Sequence, residues 1–371
     1  MDGQPDRSGP RRRQRHPGRA GLPVRAAVDH RHPGPDQGLP LHPLGPLSRL
    51  QVLKGPASRR RRLLAWLAGT AWVSAGLTGC ASLDAPSVTA LQARPPADLP
   101  RQVLLRGVPF FPDEGTLCGP ATLAGVLGAA GRPASPEALT PQVYLPGREG
   151  SLQPEMLAAA ARQGALAVQL PPRLDAVLRT LAAGQPVLVL VNLSLPIWPR
   201  WHYAVVVGYD LDQGEVHLHS GTQGDARWSL QTFEHTWARS GHWAMVVSPP
   251  EQLPAMADAT AVQEGLLSLE RASGAAAARP GWEAAAQRWP DALVIGMGLG
   301  NSRYATGDLP GAARAFEQVA RTHDSAAAWN NLAELRRALG QPDAARDAAR
   351  RAWQRALSAE PAFQPAVRDT L

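Results

Sequence analysis

Apolar and polar positions divide the chain into stretches of different period. Residues 102–110 open with an apolar, strand-like run that ends in Val108-Pro109-Phe110-Phe111-Pro112. After a turn, Leu117-Cys118-Gly119-Pro120 leads into an apolar segment from Leu123 to Leu127, and proline directly after the cysteine fits a first helical turn, where its missing N–H has no intrahelical partner. Three further helices carry their own punctuation: Ser135-Pro136-Glu137 as cap and first turn, Pro154–Gln163 closed by Gly164, and Arg173–Ala183 closed by Gly184. The pattern then changes. Pro186–Val191 is a continuous apolar run suited to a strand buried on both faces. Trp201–Asp210 and Glu215–Gly221 flank an Asp/Gly turn and predict a hairpin. A short helix near Thr232–Trp237 and a last strand over His242–Val247 complete the unit, which makes residues 101–250 an α+β domain.

Beyond Pro249-Pro250 the chain becomes Ala-rich and helical to residue 371. Gly274, Gly307 and Gly340 recur every 33 residues, and Gly307–Phe316 is echoed by Gly340–Ala349. A plain Ala-rich bundle would share the composition, though not the agreement between copies. Trp329-Asn330-Asn331-Leu332-Ala333 resembles the first helix of a tetratricopeptide repeat, which implies an all-α module over 251–371 that binds a protein partner.

Charge changes the picture only at the front. The net charge is +7, but residues 1–62 hold 14 Arg/Lys against 4 Asp/Glu, so the rest of the chain sums to minus three. A nucleic-acid partner is therefore not expected. Residues 1–58 lack apolar periodicity and read as a disordered, non-native basic extension, with the true start expected near residue 50. Residues 59–79 form a charged and then apolar signal segment, too short for a membrane span, that ends in Leu77-Thr78-Gly79-Cys80. That tetrapeptide resembles the bacterial lipobox. The resemblance implies lipid on Cys80, and Ala81-Ser82 after it points to the outer membrane, facing the periplasm. Residues 80–100 read as a tether.

Cys118 is then the one remaining cysteine, at a helix N-terminus whose dipole is expected to lower the thiol pKa. Of the ten histidines, His202 stands apart by opening the long apolar strand between Trp201 and Tyr203. A thiol and an imidazole on two elements are the parts of a nucleophile and its base. The segments Val108–Pro112, Cys118–Ala121 and His202–Asp210 together resemble the bacteriocin-processing, double-glycine-leader peptidase family over about residues 100–250. This resemblance implies a papain-like fold, cleavage of a peptide or protein substrate, Cys118 as nucleophile and His202 as base. Two positions depart from the family. Ser220 stands where its orienting aspartate would be, with His219 or Asp225 as possible substitutes, and Asp113 stands near its oxyanion glutamine. An ionised aspartate would repel the oxyanion, and losing such a donor costs about 2.7 to 4 kcal/mol. No metal or cofactor motif is present, so none is expected. The resulting reading is a lipid-anchored cysteine peptidase, with a peptide-binding assembly factor and an acyl-transferring Cys/His enzyme as the alternatives.

Overall fold

The computed structural model describes residues 85–113, 115–368 and 370. The basic extension, the signal segment and Cys80 lie outside the described residues. Two compact units can be distinguished, one holding residues up to Asp324 and one beginning at Ser325.

Within the first unit, a seven-stranded antiparallel sheet forms the frame. Its strands are β1 (Gln102–Leu104), β4 (Leu166–Gln169), β5 (Val187–Asn192), β6 (Trp201–Asp210), β7 (Glu215–Ser220), β8 (Gln223–Ser229) and β9 (Ala244–Ser248). The order is β4-β9-β5-β6-β7-β8, and β1 pairs with the far end of β6. The short strands β2 (Tyr144–Leu145) and β3 (Gly150–Ser151) form a separate ribbon.

The apolar run in β5 is explained by what covers the sheet. Successive side chains of a strand point to opposite faces. Val187, Val189 and Val191 enter a core with α5 (Leu174–Ala182) and α6 (Leu230–Ala238). Leu188 and Leu190 enter another with α2 (Cys118–Ala129), α3 (Pro136–Val143) and α4 (Gln153–Arg162). Both faces are thus buried. The expected helix punctuation is present: Ser135 Oγ accepts the Ala138 N–H at 3.3 Å, and Gly164 and Gly184 close α4 and α5 with φ of 72° and 83°.

The tether expectation is corrected from Ala85 onward. Pro86–Ala93 forms helix α1, and Ala85, Val88 and Leu99 are buried in the same core as α5 and α6. Burial of three apolar side chains fixes a segment that lacks a strong helical pattern of its own.

Four helices follow in this unit, α7 (Ala259–Ser273), α8 (Ala275–Arg288), α9 (Leu293–Ala305) and α10 (Leu309–His323). They share a core with β4, in which Leu166 and Val168 meet Val262, Leu266 and Trp282. The second unit holds α11 (Ala326–Ala338), α12 (Pro342–Ser358) and α13 (Gln364–Arg368). Gly274, Gly307 and Gly340 each join the two helices of a hairpin at φ of 88°, 84° and 73°. The 33-residue period therefore marks a turn that needs a left-handed residue, where glycine carries no Cβ penalty. No helix of the described residues is long and apolar enough to cross a membrane.

Candidate active site

Cys118 is the first residue of α2, after Leu117 at the cap. Residues 119–127 of this helix are all buried, so its start is held rigidly against the sheet. Gly119 permits a close approach, because a Cβ there would lie 2.2 Å from Ser151 Oγ. The Tyr203 backbone N–H donates to Cys118 Sγ at 3.5 Å. That contact places the sulfur beside the first residues of β6, one residue from His202.

The His202 ring meets Ser220. Ser220, at the end of β7, lies with its Oγ 2.9 Å from His202 Nε2. The contact leaves Nδ1 as the nitrogen free for chemistry. No hydrogen bond links imidazole and sulfur among the described residues, so a proton transfer between them would require closer approach. Such catalytic contacts often tighten only when substrate is bound.

The two other candidate orienters serve elsewhere. His217 Nδ1 and Asp225 Oδ1 are 3.0 Å apart, and Asp225 also receives Arg227. The His219 ring packs edge-on against Phe110 at 5.2 Å, and its Nδ1 is buried without a partner. Neither hydrogen-bonds to His202. Of the three candidates only Ser220 reaches the His202 ring.

Asp113 reaches the site through its backbone, donating its N–H to the Gly221 carbonyl at 3.0 Å. Oδ1 accepts the Gly115 N–H at 3.2 Å, while Oδ2 is buried and unpartnered. Its charge raises both nearby pKa values, that of the Cys118 thiol and that of the His202 imidazole.

The expected low thiol pKa is corrected. Burial pushes the Cys118 thiol up, and the repulsion from Asp113 adds to this against the N–H groups of Tyr203, Gly119 and Cys118 itself. Burial likewise pushes His202 down, partly opposed by Asp113. Both shifts favour a neutral thiol beside a neutral imidazole. Desolvation of a charge at this enclosed helix start outweighs the dipole of one helix.

Two spaces open on the sulfur. A groove of about 980 Å³ runs past Cys118 between Thr116, Arg148 and Gly150 on one side and Pro199, Trp201 and Arg239 on the other. A much smaller pocket touches Asp113, Phe110, His219 and Ser220. His202 is half-buried and lines neither.

Sequence reasoning missed Tyr203 and Ser151 as site residues. Tyr203 gives its N–H to the sulfur and its hydroxyl to the Ser151 carbonyl at 3.2 Å, and burial raises the phenol pKa far above its ordinary value. Its place next to His202 was visible, but a backbone donor leaves no mark in side-chain chemistry. Ser151 Oγ is buried without a partner beside Gly119. Among the described residues no group of His, Cys, Asp and Glu could hold a metal ion.

Residues 100–245 match the family described as Peptidase_C39 like. A crystal structure of a C39-like peptidase from Bacillus anthracis aligns at 20% identity with a TM-score of 0.34, over 40% of this chain and 98% of that one. No curated protein matches the chain. The family match covers the sheet domain, which is followed by a run of helices.

Proposed function

We propose that the protein is a lipid-anchored cysteine peptidase. Cys118 attacks the substrate carbonyl, His202 takes the thiol proton as the sulfur attacks and returns it to the leaving amine, and Ser220 fixes the ring. One observation carries the reading: Ser220 holds Nε2 at 2.9 Å while the residue after His202 donates its backbone N–H to the Cys118 sulfur. With a neutral pair at rest, the imidazole works as a general base during attack. Ser220 supplies no charge to stabilise the imidazolium, and Asp113 Oδ2 is the carboxylate whose field reaches it. Lipid on Cys80 holds the enzyme at the outer membrane facing the periplasm, and the helical hairpins are tetratricopeptide-type repeats that bind a protein partner.

The test is cleavage of a mixed peptide library by the full chain, read as new termini by mass spectrometry. Cleavage is expected in the unchanged protein and absent in Cys118→Ala and His202→Ala. Radiolabelled palmitate should enter the unchanged chain and not Cys80→Ala.

A second reading has its own support. The neutral pair, the missing sulfur–imidazole hydrogen bond and the Asp113 charge that opposes a thiolate all suit a groove that binds peptides without cutting them. In that case the library shows no cleavage, while peptides protect Cys118 from alkylation equally in the unchanged chain and in His202→Ala.

A further inference from the structure

The loop between β5 and β6 exposes more apolar surface than a folded domain ordinarily leaves to water. Leu195, Ile197 and Trp198 are 61%, 81% and 80% exposed, with Leu193 and Trp201 exposed beside them. Single exposed apolar residues need no explanation, whereas a contiguous group marks an interaction surface. From Leu193 to Tyr203 the chain has no acidic residue. Arg200 and Arg239 are exposed at its base, and Arg239 Nη1 binds the Asn192 and Ser194 carbonyls at 3.2 and 2.9 Å. An aromatic and aliphatic tip on a cationic base is the arrangement that seats in the headgroup zone of an anionic bilayer.

Helix α6 is touched by the start of α1 and leads to the base of the loop. Ser87 Oγ of α1 donates to Glu234 Oε1 of α6 at 2.8 Å, and Arg239 directly follows α6. At 1.5 Å rise per residue, Glu234 and Arg239 are separated by roughly 8 Å along the helix. The first described residue and the apolar loop are therefore attached to the same helix. Cys80 precedes Ala85 by five residues, which reach at most about 18 Å when extended. Lipid on Cys80 would hold Ala85 within that distance of the bilayer.

Other occupants fit less well. The groove beside Cys118 is lined by Pro199, Arg200 and Trp201, but Ile197 and Trp198 lie outside it, so a peptide in the groove does not cover the tip. A second copy of the same loop would bring arginine against arginine. We propose that residues 193–201 form a membrane-docking loop for anionic lipid, which acts with the lipidated Cys80 to set the mouth of the groove at the bilayer surface. This rests on the lipid-anchor reading above.

The experiment uses the full lipidated chain in vesicles of phosphatidylglycerol and phosphatidylethanolamine that carry brominated acyl chains. Tryptophan quenching is compared between the unchanged protein, Trp198→Ser and the control Trp289→Phe, at a residue that packs against the helical core. Docking predicts that Trp198→Ser removes roughly half or more of the quenched component, that the control removes little, and that quenching weakens as phosphatidylglycerol is withdrawn. Equal quenching in Trp198→Ser, with lipid confirmed on Cys80 by mass spectrometry, overturns the docking loop alone. Quenching traced to Trp198 in a chain without lipid on Cys80 supports the loop and overturns the anchor. If Ile197→Ser and Trp198→Ser leave quenching unchanged but lower kcat/KM for peptides, the loop is a substrate surface and the proposal fails.

Discussion

The cysteine end of the sheet domain and the helical hairpins over residues 259–323 treat polar groups in opposite ways. Around Cys118, Asp113 Oδ2, Ser151 Oγ and His219 Nδ1 are buried with no hydrogen-bond partner. In the hairpins, Asp258 and Asp308 accept the N–H groups of Ala261 and Gly311 at 2.8 and 2.9 Å, and Arg279 bridges Glu283 and Asp308 at 3.1 and 3.2 Å. An unpartnered buried polar atom costs about 1–3 kcal/mol. Three such atoms around one sulfur give up stability at that place; single ones also lie elsewhere, Arg303 Nε in the hairpins among them. Asp258, Glu283 and Asp308 of the hairpins are all used, as caps or in ion pairs.

The comparison can be broken most sharply at the sulfur. Cys118→Ala should abolish peptide cleavage, by about a thousandfold or more, while leaving the thermal midpoint unchanged or slightly raised. A large loss of stability instead would mean that the thiol is a packing element. Next in size is a change in the sheet core. Phe233 and Trp237 stack at 5.5 Å and are fully buried, and the Trp237 indole N–H donates to the Trp243 carbonyl at 2.8 Å. Phe233→Ala should cost about 3–5 kcal/mol in denaturant unfolding.

Asp113→Asn should raise the cleavage rate about tenfold at neutral pH, because it removes the charge that disfavours both thiolate and oxyanion. A lower rate would show instead that Asp113 is needed to stabilise the imidazolium. The smallest change belongs to the hairpins: Asp308→Ala should cost about 1 kcal/mol through the lost cap and leave cleavage per folded molecule unaltered.

The pH dependence of stability sharpens the same contrast. His202 is pushed below its ordinary 6.5, so the unfolded chain binds more protons as pH falls past that value and the contribution of the neutral ring is lost on the acid side. Cys118 is pushed above its ordinary 9.0, so the folded protein keeps its proton longer and stability falls as pH rises beyond that value. The double change Cys118→Ala and His202→Phe should flatten both limbs in urea unfolding curves. Identical limbs would place the titrating groups elsewhere.

Much of this was legible in the chain. Cys118 and His202 could be singled out because a helix start and a strand start leave a pattern in sequence, whereas Ser220 was named only through the family resemblance. The apolar run of β5 announced a strand covered on both sides. Other features leave no such trace. β8, written Gln223-Gly224-Asp225-Ala226-Arg227-Trp228-Ser229, is an edge strand with mostly exposed side chains, so it carries almost no hydrophobic period. Helix α1 is made by burial of Ala85 and Val88 rather than by its own pattern. The thiol pKa was misjudged because the dipole of α2 is visible in sequence, whereas desolvation by distant segments is not. Asp113 was noticed as a departure, but its unpartnered oxygen emerges only from the folded contacts.

The most direct test is the rate of Cys118 alkylation by iodoacetamide near pH 7.5, in the unchanged protein and in His202→Ala. The account predicts that the unchanged protein reacts at least about tenfold faster, because the imidazole accepts the proton as the sulfur attacks. Equal rates in the two proteins, with both folded, would contradict it.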